Sequence, residues 1–144
     1  MNTSMPAQYT CDGNQASPPL TIIGAPDGTK TFALVMEDSD VPKQLRPESA
    51  FLHWIVFNIP GSISEITENA HVGIVGANSL GKKTYVGPNS PPQFEPRQHR
   101  YVFTLYALDK ELPLKAGASK DKLVAAMRGH VIARTRLVGL YQRT

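Results

Sequence analysis

The chain lacks several features that would each identify a class of protein. Its 144 residues contain a single cysteine, Cys11, which excludes an internal disulfide and fits a reducing compartment. No apolar stretch approaches the ~20 residues that a membrane span needs. The N-terminus also lacks the basic and then apolar pattern of a secretory signal. A net charge of +3 is too weak to indicate nucleic acid as a partner. We therefore expect a cytoplasmic protein with no integral membrane association.

The sequence also lacks the common catalytic and metal-binding motifs. There is no G-x-S-x-G, no P-loop and no H-E-x-x-H. Cys11 has no basic neighbour in sequence that would favour a reactive thiolate. The histidines and aspartates do not follow the spacing of a metal motif. No activated nucleophile, metal or cofactor is predicted, and the chain is not expected to be an enzyme.

What the chain does contain is typical of a β-rich protein. Twelve prolines and eleven glycines predict many turns, and the length predicts one domain over residues 1–144. Ser119 can cap a helix over 119–128, and Gly129 can end it. We predict a mostly β fold, a β-sandwich or open barrel, with one late α-helix. Strands are predicted at 20–23, 31–36, 50–59, 100–108 and 131–141, with mostly loop at 62–79 and a long loop at 81–98.

Polar side chains stand where apolar strands begin or end. Asp38 and Asp40 follow the strand at 31–36, while His53 and His99 each open a strand-like run. Such groups at the ends of strands can form a small pocket. For either histidine alone, the simpler interpretation is a buried, hydrogen-bonded core residue. Two of them beside proline-rich loops favour a site.

The two-residue period of a strand predicts which side chains share a face. If the two strands are neighbours, both imidazoles meet at one end of the core, above an apolar floor that includes Phe57 and Phe103. The predicted faces contain His53, Ile55, Phe57 and Ile59 in one strand, opposite Trp54 and Val56, and His99, Tyr101, Phe103 and Leu105 in the other.

The two aspartates have different expected roles. Asp38 directly follows the strand and is the better candidate to reach the pocket. For Asp40, a turn residue before Pro42 is as good an interpretation as binding. A carboxylate beside a histidine stabilises imidazolium, which donates strong hydrogen bonds to phosphate or carboxylate.

The long loop and two tyrosines complete the candidate pocket. The Gly-Pro pair at 87–88, which contains Gly87, and the Pro-Pro pair at 91–92, which contains Pro92, predict a stiff loop. This loop would form one wall of the pocket and offer few hydrogen-bond donors. Tyr85 and Tyr101 could offer hydroxyl groups to an oxyanion. Simple packing is the alternative for both, and it is the stronger one for Tyr85.

Five segments of the chain resemble motifs of the phosphatidylethanolamine-binding protein family, which includes the Raf kinase inhibitor proteins. Residues 38–42 resemble its D-P-D-x-P motif, and 85–101 resemble its G-x-x-P-P…H-R-Y block. Residues 9–14, 129–131 and 138–141 are similar to motifs of its bacterial branch. The chain differs at Ser39, at 93–98, where Phe94 and Arg97 could cover the pocket and add a cation, and at Thr21, where a tryptophan is common.

This resemblance implies a β-sandwich of antiparallel and mixed strands with a small pocket for anions such as phosphate or a phosphoethanolamine head group. It implies that Asp38, Pro42, His53, Pro92, His99 and Tyr101 line that pocket, and that a homodimer is a reasonable expectation.

Three functions follow from the sequence and the resemblance together. The first is a non-enzymatic protein that binds a small anion or a phosphorylated head group. The second is a regulator, similar to a kinase or protease inhibitor, that binds a phosphorylated or acidic segment of a partner protein. The third and weakest is a hydrolase that uses histidine and aspartate.

Overall fold

The computed structural model describes residues 2–40, 50–89 and 98–142, and strands make up most of its regular structure. The long strands and the short strand at Leu20–Thr21 lie where the sequence places them, and the other short strands lie in segments predicted as irregular. The elements are β1 (Asn2–Ser4), a 3₁₀ turn (Ala7–Tyr9), β2 (Leu20–Thr21), β3 (Thr31–Asp38), β4 (Phe51–Pro60), β5 (Glu65–Ile66), β6 (Ile74–Val75), β7 (Gln98–Leu108), α1 (Lys120–Met127) and β8 (Val131–Gln142).

Six strands form one sheet in the order β1-β8-β7-β3-β4-β6, and β2 pairs with β5 in a second, two-stranded sheet. Neighbouring strands run antiparallel except β1 and β8, which run parallel with Asn2 opposite Val138. The central strand β3 is buried on both faces, as expected for a continuous apolar run.

Apolar layers cover both faces of the large sheet. One layer, which we call the small-sheet layer, packs Leu20 and Ile66 against side chains of β3, β4 and β7. The other, the helix layer, packs Leu123 and Met127 of α1 against the opposite face. This arrangement confirms the predicted fold class, mostly β with one α-helix among the described residues.

The helix forms and ends as predicted. The Ser119 side chain accepts a hydrogen bond from the backbone N–H of Lys122, and Gly129 has a φ of 82° just beyond the helix. A positive φ is readily adopted by glycine, which explains the stop there. His130 donates its backbone N–H to the Met127 carbonyl, and its ring bonds Asp109.

Strand β8 forms as predicted, but its first half is exposed. Residues 131–137 are all exposed, and Val131, Ile132 and Leu137 each keep about two fifths of their surface accessible. The reason is topological. β1 pairs only with 138–140, so the preceding residues of β8 lie at the sheet edge.

One prediction about β4 is wrong. Its pairing with β3 shifts between Met36 and Glu37, so the regular alternation of faces breaks next to His53. His53 therefore contacts Tyr101 of the small-sheet layer, whereas Ile55 and Phe57 belong to the helix layer. Phe57 is consequently not part of a floor beneath the histidines, while Phe103 does lie in the small-sheet layer.

A second irregularity lies further along β4. The pairing of β3 and β4 shifts again between Phe32 and Leu34, and Asn58 adopts a φ of 54°. Ile59 consequently joins Trp54 and Val56 in the small-sheet layer, instead of sharing a face with Ile55 and Phe57.

Candidate functional site

Strand pairing brings the predicted polar residues together at one end of the large sheet. β3 and β7 run antiparallel with Asp38 opposite Tyr101, so His99 lies next to the end of β3. The Nδ1 atom of His99 lies 2.5 Å from Oδ2 of Asp38. Both side chains are almost completely buried, with 1% and 4% of their surface exposed. A carboxylate in this position orients the imidazole and favours a proton on Nδ1.

Asp40 holds the chain beside this pair and does not enter it. Its backbone N–H donates to Oδ1 of Asp38 at 2.8 Å. Its carboxylate accepts from the backbone N–H of Arg100 at 2.9 Å and from the guanidinium through two atoms, at 2.9 and 2.8 Å. The hydrogen bonds from Arg100 hold the pKa of Asp40 below its usual range. The described contacts of the Asp40 carboxylate thus join the end of β3 to β7 through Arg100, and the expected turn before Pro42 falls outside the described residues.

His53 is held by the long loop and not by an acid. Its Nδ1 lies 2.7 Å from the backbone carbonyl oxygen of Val86, and the Val86 N–H donates to the His53 carbonyl. A carbonyl oxygen only accepts, so Nδ1 carries the proton and Nε2 is the unprotonated nitrogen of the neutral ring. Burial lowers the pKa of His53, against smaller opposing effects from the Val86 hydrogen bond and Asp38. The neutral ring favoured at His53 therefore differs from the imidazolium that a neighbouring carboxylate is expected to stabilise.

Tyr101 lies between the two histidines. Its ring is 5.3 Å from that of His53 in an edge-on arrangement and 6.1 Å from that of His99 in a stacked one. The side chain is fully buried, and among the described residues no atom forms a hydrogen bond with its hydroxyl group. Burial, followed by the charge of Asp38, raises the pKa of Tyr101, so the hydroxyl keeps its proton at neutral pH.

Tyr85 is packed, which is the interpretation favoured for it above, and Gly87 lies against the N-terminal segment. The Tyr85 hydroxyl donates to the Tyr9 carbonyl at 2.6 Å, and its ring packs edge-on against Trp54. Gly87 donates its N–H to Gln15 at 3.0 Å and lies so close to Tyr9 that a Cβ would meet that residue's carbonyl oxygen at 2.9 Å. Both residues fix the loop against the N-terminal segment instead of presenting groups to a ligand.

Four residues named from the sequence cannot be placed, because they lie outside the described part of the chain. They are Pro42, Pro92, Phe94 and Arg97.

Sequence reasoning missed two groups beside the cluster. Arg100 binds Asp40, and the pairing of β3 with β7 was the signal that could have indicated it. Tyr141 lies opposite His99 in β8, donates its hydroxyl to Asp12 and approaches Sγ of Cys11 at 3.6 Å. Burial raises the pKa of Tyr141. No local motif indicates these contacts, because they join residues about 130 positions apart in the chain.

Two whole-molecule features bear on the class of site. Within residues 2–40, 50–89 and 98–142, no group of three histidine, cysteine, aspartate or glutamate side chains is arranged to hold a metal ion. The same residues include no helix with the length and apolar character needed to cross a membrane.

The fold and the cluster define a class: a mostly β protein with a mixed sheet that ends in a buried aspartate–histidine pair beside an unbonded tyrosine hydroxyl. A family model described as phosphatidylethanolamine-binding protein matches residues 1–142. The chain belongs to this phosphatidylethanolamine-binding protein family.

Relatives from bacteria and archaea match nearly the whole chain. A UPF0098 protein of Chlamydia pneumoniae is 41% identical over 141 residues, covering 97% of this chain and 91% of that protein. A UPF0098 protein of Methanothermobacter thermautotrophicus is 40% identical over 146 residues, covering 96% and 91%.

Solved structures agree with the family assignment. The crystal structure of a phosphatidylethanolamine-binding protein homologue from Chlamydia trachomatis superposes with a TM-score of 0.93 at 36% identity, covering 99% of this chain and 92% of that one. YbcL of Escherichia coli, described as a member of the mammalian family, gives a TM-score of 0.85 at 25% identity, with the same coverage.

Proposed function

We propose that this chain is a non-enzymatic binding protein that takes a small oxyanion, phosphate or a phosphorylated head group, at the cluster of Asp38, His53, His99 and Tyr101. The observation that carries the proposal is the Tyr101 hydroxyl. A buried hydroxyl group without a hydrogen bond costs about 1–3 kcal/mol. Buried polar groups of this kind usually have a partner, and a ligand oxygen would supply one.

The surrounding contacts support an oxyanion as that partner. Tyr101 keeps its proton and so can donate to a ligand oxygen. Asp38 stabilises positive charge on the His99 ring, and a charged donor forms a stronger hydrogen bond to an oxyanion. Each charge-assisted contact contributes roughly 1.5–3 kcal/mol, so a few contacts correspond to a Kd from about millimolar to micromolar for a bare anion.

The non-enzymatic part of the proposal rests on Cys11, the one thiol near the cluster among residues 2–40, 50–89 and 98–142. Its thiol donates to Asn89 at 3.5 Å and lies 3.6 Å from the Tyr141 hydroxyl. Neither contact supplies a base that would activate it. The proposal also keeps a cytoplasmic location, supported by the free thiol.

A matched pair of tyrosine variants tests the binding site. In Tyr101→Phe the ring stays and an unbonded hydroxyl is removed, so the free energy of unfolding should stay the same or rise by up to about 1 kcal/mol. Affinity for inorganic phosphate should fall about tenfold, because a donor to the ligand is lost. Affinity is measured by NMR titration of the His53 and His99 ring signals, and stability by urea unfolding.

Tyr85→Phe is the control, because it removes a hydroxyl that donates to the Tyr9 carbonyl. It should cost about 1 kcal/mol of stability and leave phosphate affinity unchanged. Phosphate that moves neither histidine signal of the unaltered protein at high millimolar concentration would refute the proposed function. So would a Tyr101→Phe protein that loses stability and binds phosphate normally.

A further inference from the structure

The two ring nitrogens of His53 have different hydrogen-bonding roles. The backbone carbonyl oxygen of Val86 accepts a hydrogen bond from Nδ1 at 2.7 Å. The Val86 N–H bonds the His53 carbonyl in return, so the loop and β4 are joined on both sides of this contact. If the proton were on Nε2 instead, a lone pair on Nδ1 would face a lone pair on the Val86 oxygen, and the two would repel. The loop therefore fixes Nε2 as a hydrogen-bond acceptor in the neutral ring.

The groups that face His53 do not turn it into a donor. From β3 comes the Asp38 carboxylate, and from β7 come the His99 ring and the Tyr101 ring. Phe51, on its own strand, packs against it with 4.6 Å between ring centroids. Asp38 favours a charged His53, whereas burial and His99 oppose it, and burial is the largest effect.

The guanidinium of Arg100 does not change this balance. The Arg100 guanidinium is bonded through two atoms to Asp40, so its charge is largely neutralised there. An oxyanion without any proton would place its own lone pairs against the unprotonated Nε2 of His53. Two acceptors facing each other without a proton between them repel, and this costs binding free energy.

From this geometry we infer that the site binds an oxyanion only together with a proton, which lies between a ligand oxygen and Nε2 of His53. The inference rests on the proposed function. His53 is then a specificity-determining residue, and the preferred ligand class is an oxyanion that still carries an acidic O–H, such as hydrogen phosphate. A fully ionised phosphomonoester or sulfate binds only when it takes up one proton from solvent, which His53 then holds.

The test compares ligands that differ in protonation over one pH range. A phosphomonoester loses its second proton near pH ~6, so phosphoethanolamine has a fully ionised phosphate between about pH 7 and 8.5, whereas inorganic phosphate keeps a proton. When binding takes up one proton, the association constant falls about tenfold for each unit by which the pH rises. As the pH rises, we expect the affinity for phosphoethanolamine and for sulfate to fall with that slope. The affinity for inorganic phosphate should change little over the same range. Calorimetry in two buffers of different ionisation enthalpy counts the protons directly.

Two further measurements locate the proton. In His53→Gln the side-chain amide can donate at any pH, so the slope for phosphoethanolamine should become nearly flat. His71→Gln replaces an exposed histidine and should keep the slope of the unaltered protein. In the unaltered protein, ¹⁵N NMR should show Nδ1 protonated and Nε2 unprotonated at pH 7.5 without ligand, and Nε2 should move toward the protonated range with sulfate. This readout needs no variant that might misfold.

The outcomes separate the two proposals. No binding of any of the three anions at any pH would refute the proposed function and the inference together. Binding of phosphoethanolamine with no pH dependence would overturn the inference and leave the proposed function intact. A tenfold slope that persists in His53→Gln would place the proton elsewhere and would also overturn it.

Discussion

The two histidines of the cluster are equally buried but are held by opposite kinds of partner. His99 and His53 have 1% and 4% of their surface exposed. His99 bonds a carboxylate through Nδ1, whereas His53 bonds a peptide carbonyl through the same atom. A carboxylate stabilises an imidazolium far better than a neutral carbonyl does, so burial is decisive at His53. Because the two rings are similarly buried, the difference between their hydrogen-bond partners determines which chemistry each ring can offer to a ligand.

Removing the acid should have the largest effect on this difference. Asp38→Ala removes the carboxylate that bonds Nδ1 of the buried His99 and the acceptor for the Asp40 N–H. Breaking one partner of a buried pair costs about 3–5 kcal/mol, so we expect the free energy of unfolding to fall by about 3 kcal/mol. Urea unfolding at pH 7.5 measures it.

Asp109→Ala is the matched control, because Asp109 pairs with His130 at 2.9 Å where 51% and 37% of the two side chains are exposed. An exposed pair contributes below about 1 kcal/mol. Equal losses in the two variants would contradict the idea that burial of the Asp38–His99 pair sets its strength.

The dependence of stability on pH should distinguish His53. Its pKa in the folded chain lies below the ordinary 6.5, so below that pH the unfolded chain binds a proton that the folded chain does not. The stability contributed by neutral His53 is therefore present above pH 6.5 and is lost as the pH falls toward the folded value. One proton corresponds to at most about 1.4 kcal/mol per pH unit.

This slope is measured by urea unfolding between pH 5.5 and 8. We expect His53→Gln to flatten it, while His71→Gln, at an exposed position, leaves it closer to that of the unaltered protein. Comparison of slopes avoids the separate cost of losing the Val86 hydrogen bond. An unchanged slope in His53→Gln would show that this ring is not kept neutral by folding.

Asp40→Ala should have the smallest effect. The Arg100 side chain is 60% exposed, so the pair contributes roughly 0.5–1 kcal/mol despite its two-atom geometry. The pKa of Asp40 is lowered by Arg100. That stability is present above the ordinary carboxyl pKa and is lost in acid as the pH falls through the folded value.

Glu37→Ala, which breaks the partly exposed pair with Lys120, should cost a similar amount. Thermal melts at pH 7 and in acid compare the two variants. A loss in Asp40→Ala as large as that in Asp38→Ala would mean that Asp40 belongs to the buried pair.

The sequence predicted the long strands and the helix because their signals are local. The apolar run before Asp38, the cap at Ser119 and the stop at Gly129 each depend on neighbouring residues. It did not predict the face of His53. The two-residue period assumes regular pairing, and the shift opposite Met36 moves the ring to the other layer.

The site was partly predictable for the same physical reason. Asp38 ends one strand and His99 lies at the start of another, both with strong local patterns, so their meeting required only that the strands be antiparallel neighbours. The Tyr85 contact with Tyr9 joins residues 76 positions apart, and no local pattern carries that information. The same holds for the protonation of His53, which depends on the Val86 carbonyl across 33 positions.

The parallel pairing of β1 with β8 has a consequence for how the chain folds. Asn2 opposite Val138 closes a loop of almost the whole chain, the most distant pairing in the large sheet. Contacts of such high sequence separation slow folding, and sheets built on them fold in roughly milliseconds to seconds. We expect the pairing of β1 with β8 to form last. Its backbone amides should exchange with deuterium faster than those of β3. The hydrogen bond from Tyr141 of β8 to Asp12, which also joins the two ends of the chain, should form in that same final step.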